Sequence, residues 1–260
     1  MTALRPVVLI TGASSGIGAA LARVFAARGH EPVLVGRREA LLNALADEIA
    51  GNGQSRPLVI PMDLTRVDTP VRIGHELGAR GLEPEIVVNN AGFGLVGRAA
   101  ELDRNEQLAM VDLNVRALTD LSLRFADSLT RHRGGILNVA SLAGFLPGPR
   151  MAVYYATKAY VLSFSEALFC ELGPRGVRVT ALCPGTVPTE FQERAGIVPG
   201  FDSRVLSISA ANVALAGYHG LMDGKRLVLP GLGMKVIPFM LRFVPRAWVV
   251  ALVGRVQRGR

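Results

Sequence analysis

Cysteine and histidine are scarce in this chain of 260 residues, and the functions that depend on them recede accordingly. The two cysteines, Cys170 and Cys183, offer neither a disulfide framework nor a metal-ligand spacing and read as small buried hydrophobes. Four scattered histidines suggest no metal site. No secretory signal is legible, because the short apolar run Val7–Ile10 passes at once into a polar, glycine-rich stretch; a reduced, cytoplasmic compartment is expected. Acid is missing altogether after Asp223. Residues 1 to 223 hold 21 Lys or Arg and 21 Asp or Glu, whereas the remainder holds only bases: Lys225, Arg226, Lys235, Arg242, Arg246, Arg255, Arg258 and Arg260. The formal charge of +8 therefore sits entirely in the C-terminal segment. Such asymmetry argues against nucleic acid as a partner and for a segment that meets a membrane surface or an acidic partner.

What is present is a regular alternation. Short β-branched runs lie near 6 to 10, 31 to 36, 57 to 62, 85 to 89, 134 to 140, 176 to 182 and 225 to 229. Between them, amphipathic stretches near 16 to 29, 38 to 50, 67 to 80, 104 to 131, 151 to 173 and 208 to 222 predict helices. Strands that read as continuous apolar runs, such as Pro6–Ile10, belong in a parallel sheet covered on both faces. The expectation is an α/β fold: a single doubly wound (Rossmann) parallel sheet of about seven strands over residues 1 to 230, with a hydrophobic, basic helical extension over 231 to 260. Residues 186 to 207 are irregular, and a long loop at that place is expected to carry function.

Directly after the first strand comes Thr11-Gly-Ala-Ser-Ser-Gly-Ile-Gly18, followed by an apolar helix. Gly12 lets the chain turn, Gly16 and Gly18 let backbone approach phosphate and helix pack on sheet, and the helix N-terminus offers free N–H groups to an anion. The spacing departs from GxGxxG and lacks the Gly-Lys-Ser/Thr ending of a triphosphate loop, so a dinucleotide is expected. The second strand ends in Gly36-Arg37-Arg38, where a carboxylate would serve a ribose 2′-hydroxyl. Two cations there favour a 2′-phosphate, hence NADP(H), with Arg37 the main ligand. The neighbouring Glu39 keeps NAD(H) as the alternative, and both arginines could instead open a solvated helix.

Lysine is the scarcest cation: Lys158 is the only one before Lys225. It stands four residues after Tyr154, which places a phenol and an ammonium on one face of a helix. A nearby cation favours phenolate, and bringing a tyrosine from pKa ~10 to near 7 takes roughly 4 kcal/mol. The plainer alternative is that Tyr154, Tyr155 and Tyr160 pack while Lys158 snorkels.

With TGxxxGxG and YxxxK both in place, the sequence resembles the short-chain dehydrogenase/reductase family over about residues 4 to 230. The resemblance implies a catalytic set of Asn114, Ser141, Tyr154 and Lys158. Tyr154 would protonate a carbonyl oxygen, Ser141 would orient the substrate, Lys158 would lower the Tyr154 pKa and hold the nicotinamide ribose, and Asn114 would hold a relay water. The same resemblance implies a cofactor site made of Gly12, Ser14, Ser15, Gly16, Ile17 and Gly18 at the phosphates. Arg37 and Arg38 would meet the 2′-phosphate, Asp63 and Leu64 the adenine, and Asn90, Ala91 and Gly92 the adenosine side. Pro184, Gly185, Val187 and Thr189 would grip the nicotinamide, which Tyr154 and Lys158 also approach. Two positions depart from the family pattern: Thr157 stands where Ser is common before the lysine, and Ser15 where NADP-preferring relatives often place a second cation. A homodimer or homotetramer is a further implication.

The segment 232 to 260 is too interrupted by Pro238, Pro245, Arg242 and Arg246 to span a bilayer. Phe239, Met240, Phe243, Trp248, Val249 and Leu252 among its cations suggest an interfacial helix, in peripheral contact with the inner face of a membrane. Packing across the protein's own substrate mouth, or against a partner subunit, is the equal alternative. Phe145, Leu146, Met151, Phe191, Ile197, Val198 and Phe201 fall in segments that the resemblance places around the substrate, so a hydrophobic small molecule is expected. A dinucleotide-binding protein without turnover is the rival in another functional class.

Overall fold

The computed structural model describes residues 4–196, 207–231, 239–241 and 243–258. Seven parallel strands form one sheet: β1 (Arg5–Thr11), β2 (Pro32–Gly36), β3 (Leu58–Pro61), β4 (Leu82–Asn89), β5 (Gly135–Val139), β6 (Arg178–Leu182) and β7 (Leu227–Val228). Their spatial order is β3-β2-β1-β4-β5-β6-β7. The runs of Val, Leu and Ile that show no alternation are buried on both sides, as a parallel sheet under two helical layers requires; Val7 to Ile10 are all fully inaccessible. One layer packs Leu21, Phe25, Leu42, Ile49 and Leu221 against the sheet, and the other packs Ile73, Leu77, Leu121, Phe125 and Leu168. The chain reverses its direction of growth between β1 and β4, so a crevice opens beyond their carboxyl ends, where such sheets bind ligands.

The helices follow the apolar periodicity closely: α1 (Gly16–Ala26), α2 (Glu39–Gly51), α3 (Thr69–Ala79), α7 (Ala152–Leu172) and α9 (Ala210–Met222). The helix expected over 104 to 131 is instead broken into α4 (Arg104–Val111), a π-helical turn (Asp112–Ala117), α5 (Leu118–Arg124) and α6 (Ala126–Arg131). Periodicity cannot register the extra residue that a π turn inserts. Here that turn rolls Asn114 inward, where its amide pairs with the Phe93 backbone.

The stretch 186 to 207 is not wholly irregular, since it contains α8 (Glu190–Ala195), closed by Gly196 at φ +73°. Near the C-terminus lies α10 (Arg246–Arg258). No helix among the described residues is long and apolar enough to cross a membrane.

Candidate active site

The first wall of the crevice is backbone held at close quarters. Gly12 (φ +64°) and Gly16 (φ +56°) take left-handed conformations that side chains resist. A Cβ on Gly12 would stand 2.8 Å from the Ala91 Cα, and one on Gly18 would run into the Gly12 carbonyl and the Asn90 amide. Asn90 stitches this turn to the end of β4: its side-chain amide donates to the Thr11 and Gly12 carbonyls at 2.9 and 3.1 Å. The Thr11 hydroxyl accepts from the backbone N–H groups of Asn90 and Ala91. Among the described residues no N-cap side chain bonds the first turn of α1 and that turn holds no acid, so its N-terminal N–H groups are left to face the crevice. A cradle that excludes any Cβ and presents free donors fits a pyrophosphate.

Arg37 and Arg38 divide the work expected of both. Arg38 donates to Ser14 (3.0 Å), Ser15 (2.8 Å) and the Glu190 carboxylate (2.7 Å). It clamps the glycine-rich loop to α8, and Arg38 with Ser15 holds the Glu190 carboxyl below the usual range. Because Arg38 bonds Ser15, it brings a cation to the place where Ser15 itself supplies none. Arg37 is exposed, lines the cavity and has no hydrogen-bond or ion-pair partner among the described residues. Asp63 accepts from the Thr65 N–H and hydroxyl through one carboxylate oxygen (2.9 Å each), which fixes its rotamer beside Leu64 on the cavity wall.

The chemistry-bearing side chains meet where β5, α7 and the 92–94 segment converge. Ser141 follows β5, and its hydroxyl accepts from the Ala143 N–H at 3.1 Å. Burial pushes the Tyr154 phenol up to about 12, an effect that a hydrogen bond with Ser141 partly offsets. Lys158 is 6% exposed; its ammonium donates to the Val139 carbonyl at 2.7 Å and lies 5.9 Å from the centre of the Tyr154 ring. Burial lowers its pKa to about 8, with Cys183 nearby pulling the other way. Burial thus outweighs any lowering of the Tyr154 pKa by Lys158. Desolvation governs both groups, and the ammonium is directed at a carbonyl.

Asn114 sits behind the cavity rather than on it. Its amide donates to the Phe93 carbonyl (3.0 Å) and the Thr157 hydroxyl (3.1 Å), and its oxygen accepts from the Phe93 N–H (3.1 Å). The Thr157 hydroxyl in turn donates to the Tyr154 carbonyl at 2.7 Å, so the threonine in place of serine keeps the hydroxyl in use. Asn114 thus braces Gly92–Phe93 against α7, the helix that carries Tyr154 and Lys158.

One continuous cavity of about 530 Å³ joins these parts. Ser14, Ser15, Gly16, Ile17, Arg37, Arg38, Asp63, Leu64, Asn90, Ala91, Gly92, Ser141, Tyr154, Lys158, Pro184, Gly185, Val187 and Thr189 all line it, as does Gly12. Gly18 and Asn114 do not; they act by packing behind it. The apolar end is lined by Phe93, Leu142, Leu146, Met151, Tyr155 and Phe191, with the Phe191 and Tyr154 rings 5.3 Å apart. Leu146, Met151 and Phe191 stand where the sequence places them. Phe145 does not: partly buried, it packs against the cluster that holds Leu118, Ala140 and Val161. Ile197, Val198 and Phe201 lie outside the described residues.

Glu190, Arg194 and Tyr155 belong to the site without having been singled out for it. Arg194 lies 4.2 Å over the Phe93 ring, and burial followed by Arg37 nearby lowers its pKa. Only a contact across the folded chain reveals these residues; no local pattern marks them.

The short chain dehydrogenase family model matches residues 6–197. Sulfoacetaldehyde reductase of Chromohalobacter salexigens is 39% identical over 187 residues, spanning 71% of this chain and 73% of that protein. A short-chain dehydrogenase from Sphingobium yanoikuyae, solved in complex with NADPH, superposes with a TM-score of 0.81 at 33% identity, covering 91% of this chain and 92% of its own. A bulky-bulky ketone specific alcohol dehydrogenase from Comamonas testosteroni gives 0.75 at 30% identity, over 99% of this chain and 94% of its own. Fold and site together define an oxidoreductase of alcohol and carbonyl groups that uses a nicotinamide dinucleotide. The chain belongs to the short-chain dehydrogenase/reductase family.

Proposed function

We propose that the protein is an NADP(H)-dependent ketoreductase or alcohol dehydrogenase for an apolar substrate, with Tyr154 as its acid and base. The observation that carries this reading is the junction itself: Tyr154 and Ser141 share the cavity wall where the glycine cradle gives way to Leu146, Met151 and Phe191. A bound nicotinamide supplies the hydride. In the reductive direction Tyr154, protonated throughout the neutral range with its pKa near 12, donates its phenolic proton to the carbonyl oxygen. Ser141 donates a hydrogen bond to that oxygen as negative charge develops. Lys158 keeps a cation within reach of the phenolate left behind, which lowers the cost of forming it. Asn114 holds the backbone beside that step in place through Phe93 and Thr157.

The preference for a 2′-phosphate rests on Arg37, which is exposed on the cavity wall with no partner among the described residues. NAD(H) as the alternative draws support from Arg38, which is already occupied by Ser14, Ser15 and Glu190. A cytoplasmic setting is part of the same reading. The experiment is turnover of a panel of aliphatic and aryl ketones with NADPH or NADH as donor. The expected outcome is reduction of the bulkier ketones with NADPH preferred, and a preference about tenfold to a hundredfold smaller in Arg37→Asp, as the loss of one charge-assisted contact implies. An unchanged preference in that variant would remove the 2′-phosphate assignment.

A further inference from the structure

The helix α10 has two unlike sides. On the inner side Val249 and Gln257 are buried, at 7% and 5% exposed. The Gln257 amide donates to the Tyr155 hydroxyl at 2.7 Å, and Gly254 lies close against Pro149. On the outer side Trp248 and Leu252, one helical turn apart, are 71% and 63% exposed. The turn before the helix adds Phe239, Met240 and Phe243, each more than half exposed, with the two phenyl rings 5.3 Å apart. Scattered apolar residues are ordinary on a surface, but five large ones within one short segment are not.

We infer that this face docks on an anionic lipid surface. Charge selects the occupant. The segment after Asp223 carries eight bases and no acid, and Arg246 and Arg255 on the helix itself are exposed. A bilayer with anionic headgroups satisfies both halves of the pattern, taking Trp and Phe into the headgroup boundary and the arginines among the phosphates. A second copy of this chain fits less well, because a two-fold contact through the same face would set each copy's arginines against their own likeness. Spanning is excluded for the described helices, none of which is long or apolar enough.

The inner contacts give the docking a consequence. Tyr155, which holds Gln257, also lines the cavity next to Tyr154. Docking through Trp248 and Leu252 therefore brings the apolar end of the cavity close to the bilayer, from which a lipid-dissolved substrate can enter. That consequence rests on the proposed substrate class; the docking itself does not.

Trp248 is the chain's single tryptophan and reports on this face directly. The full-length protein is mixed with vesicles of phosphatidylcholine alone or of phosphatidylcholine with phosphatidylglycerol, following tryptophan emission and co-sedimentation at low and high salt. Expected are a blue shift and sedimentation with the anionic vesicles only, weakened by salt, and reduced about tenfold or more in Leu252→Asp and in the paired change Arg246→Gln with Arg255→Gln. NADPH titration of the variants checks that they fold. The inference is overturned if emission and sedimentation do not respond to anionic vesicles, or if the folded variants bind as well as the parent. It is equally overturned if Trp248 shifts with protein concentration alone as the mass doubles, which would make the face a subunit interface.

Discussion

The two ends of the cavity are built by different means. The cofactor end is mainly backbone: Gly12, Gly16 and Gly18 pressed against Ala91, Asn90 and Thr189, with the Asn90 amide bonded to the Thr11 and Gly12 carbonyls. The other end is side chains contributed by segments far apart, Leu142 and Leu146 after β5, Met151 and Tyr155 at the start of α7, and Phe191 on α8. Backbone at van der Waals contact leaves almost no freedom to vary, whereas side chains can be exchanged at modest cost. A common cofactor and a divergent substrate follow from that division. It also explains why the likeness to relatives fixes the reaction class and leaves the substrate to this chain's own residues.

Mutations should separate the two ends. The largest effect is expected from Gly18→Ala, since the added methyl meets a carbonyl and an amide that are themselves hydrogen-bonded to each other. Binding of nucleotide should be lost by a hundredfold or more, measured by fluorescence titration, on the order of 3 kcal/mol for strain of this kind. The loss should be the same whichever ketone is tested. Phe191→Ala should do the reverse: nucleotide affinity within about twofold of the parent, and kcat/KM for bulky against small ketones changed by roughly tenfold, in line with ~1–3 kcal/mol for a pocket contact. Equal losses for every ketone would show that Phe191 serves the Tyr154 ring, 5.3 Å away, rather than the substrate.

Lys158 sits at the boundary and gives a smaller, pH-dependent signal. Its pKa falls from 10.5 to about 8 on folding, so between those values the unfolded chain binds more protons than the native one. The stabilisation from this residue is therefore present above pH 10.5, declines as the pH falls toward 8 and is gone below it. Denaturant unfolding should show stability that rises between pH 8 and 9, before the Cys183 thiol, which burial pushes up from 9.0 to about 12, titrates in the unfolded chain and opposes it, and Lys158→Met should flatten the rise. A slope that survives the substitution would mean that another group is titrating.

Legibility in the sequence follows the same line. Strand order aside, the sheet and most helices could be read because burial on two faces imposes continuous apolar runs and burial on one imposes a helical period. Several features of the described residues escaped, each for a physical reason. The π turn at Asp112–Ala117 costs one residue of register and leaves no compositional trace. Within the irregular stretch, α8 has only six residues, too few for a period. The 3-10 turn Leu142–Phe145 is shorter still. The break at Phe125 falls within an unbroken apolar pattern. At the site, motifs located the residues, while their partners depended on the fold. Arg38 is engaged by Glu190 from across the crevice, and the lowered pKa of Lys158 reflects burial that no spacing reveals.

The seam between the two ends is where the proposed proton transfer from the phenol of Tyr154 takes place. Steady-state reduction of a bulky ketone by NADPH in Tyr154→Phe tests it most directly, because the substitution keeps the ring against Phe191 and removes only the hydroxyl. Expected is a kcat lower by about 10²–10⁴, as for loss of a general acid, with NADPH affinity little changed. Turnover equal to that of the parent would contradict it.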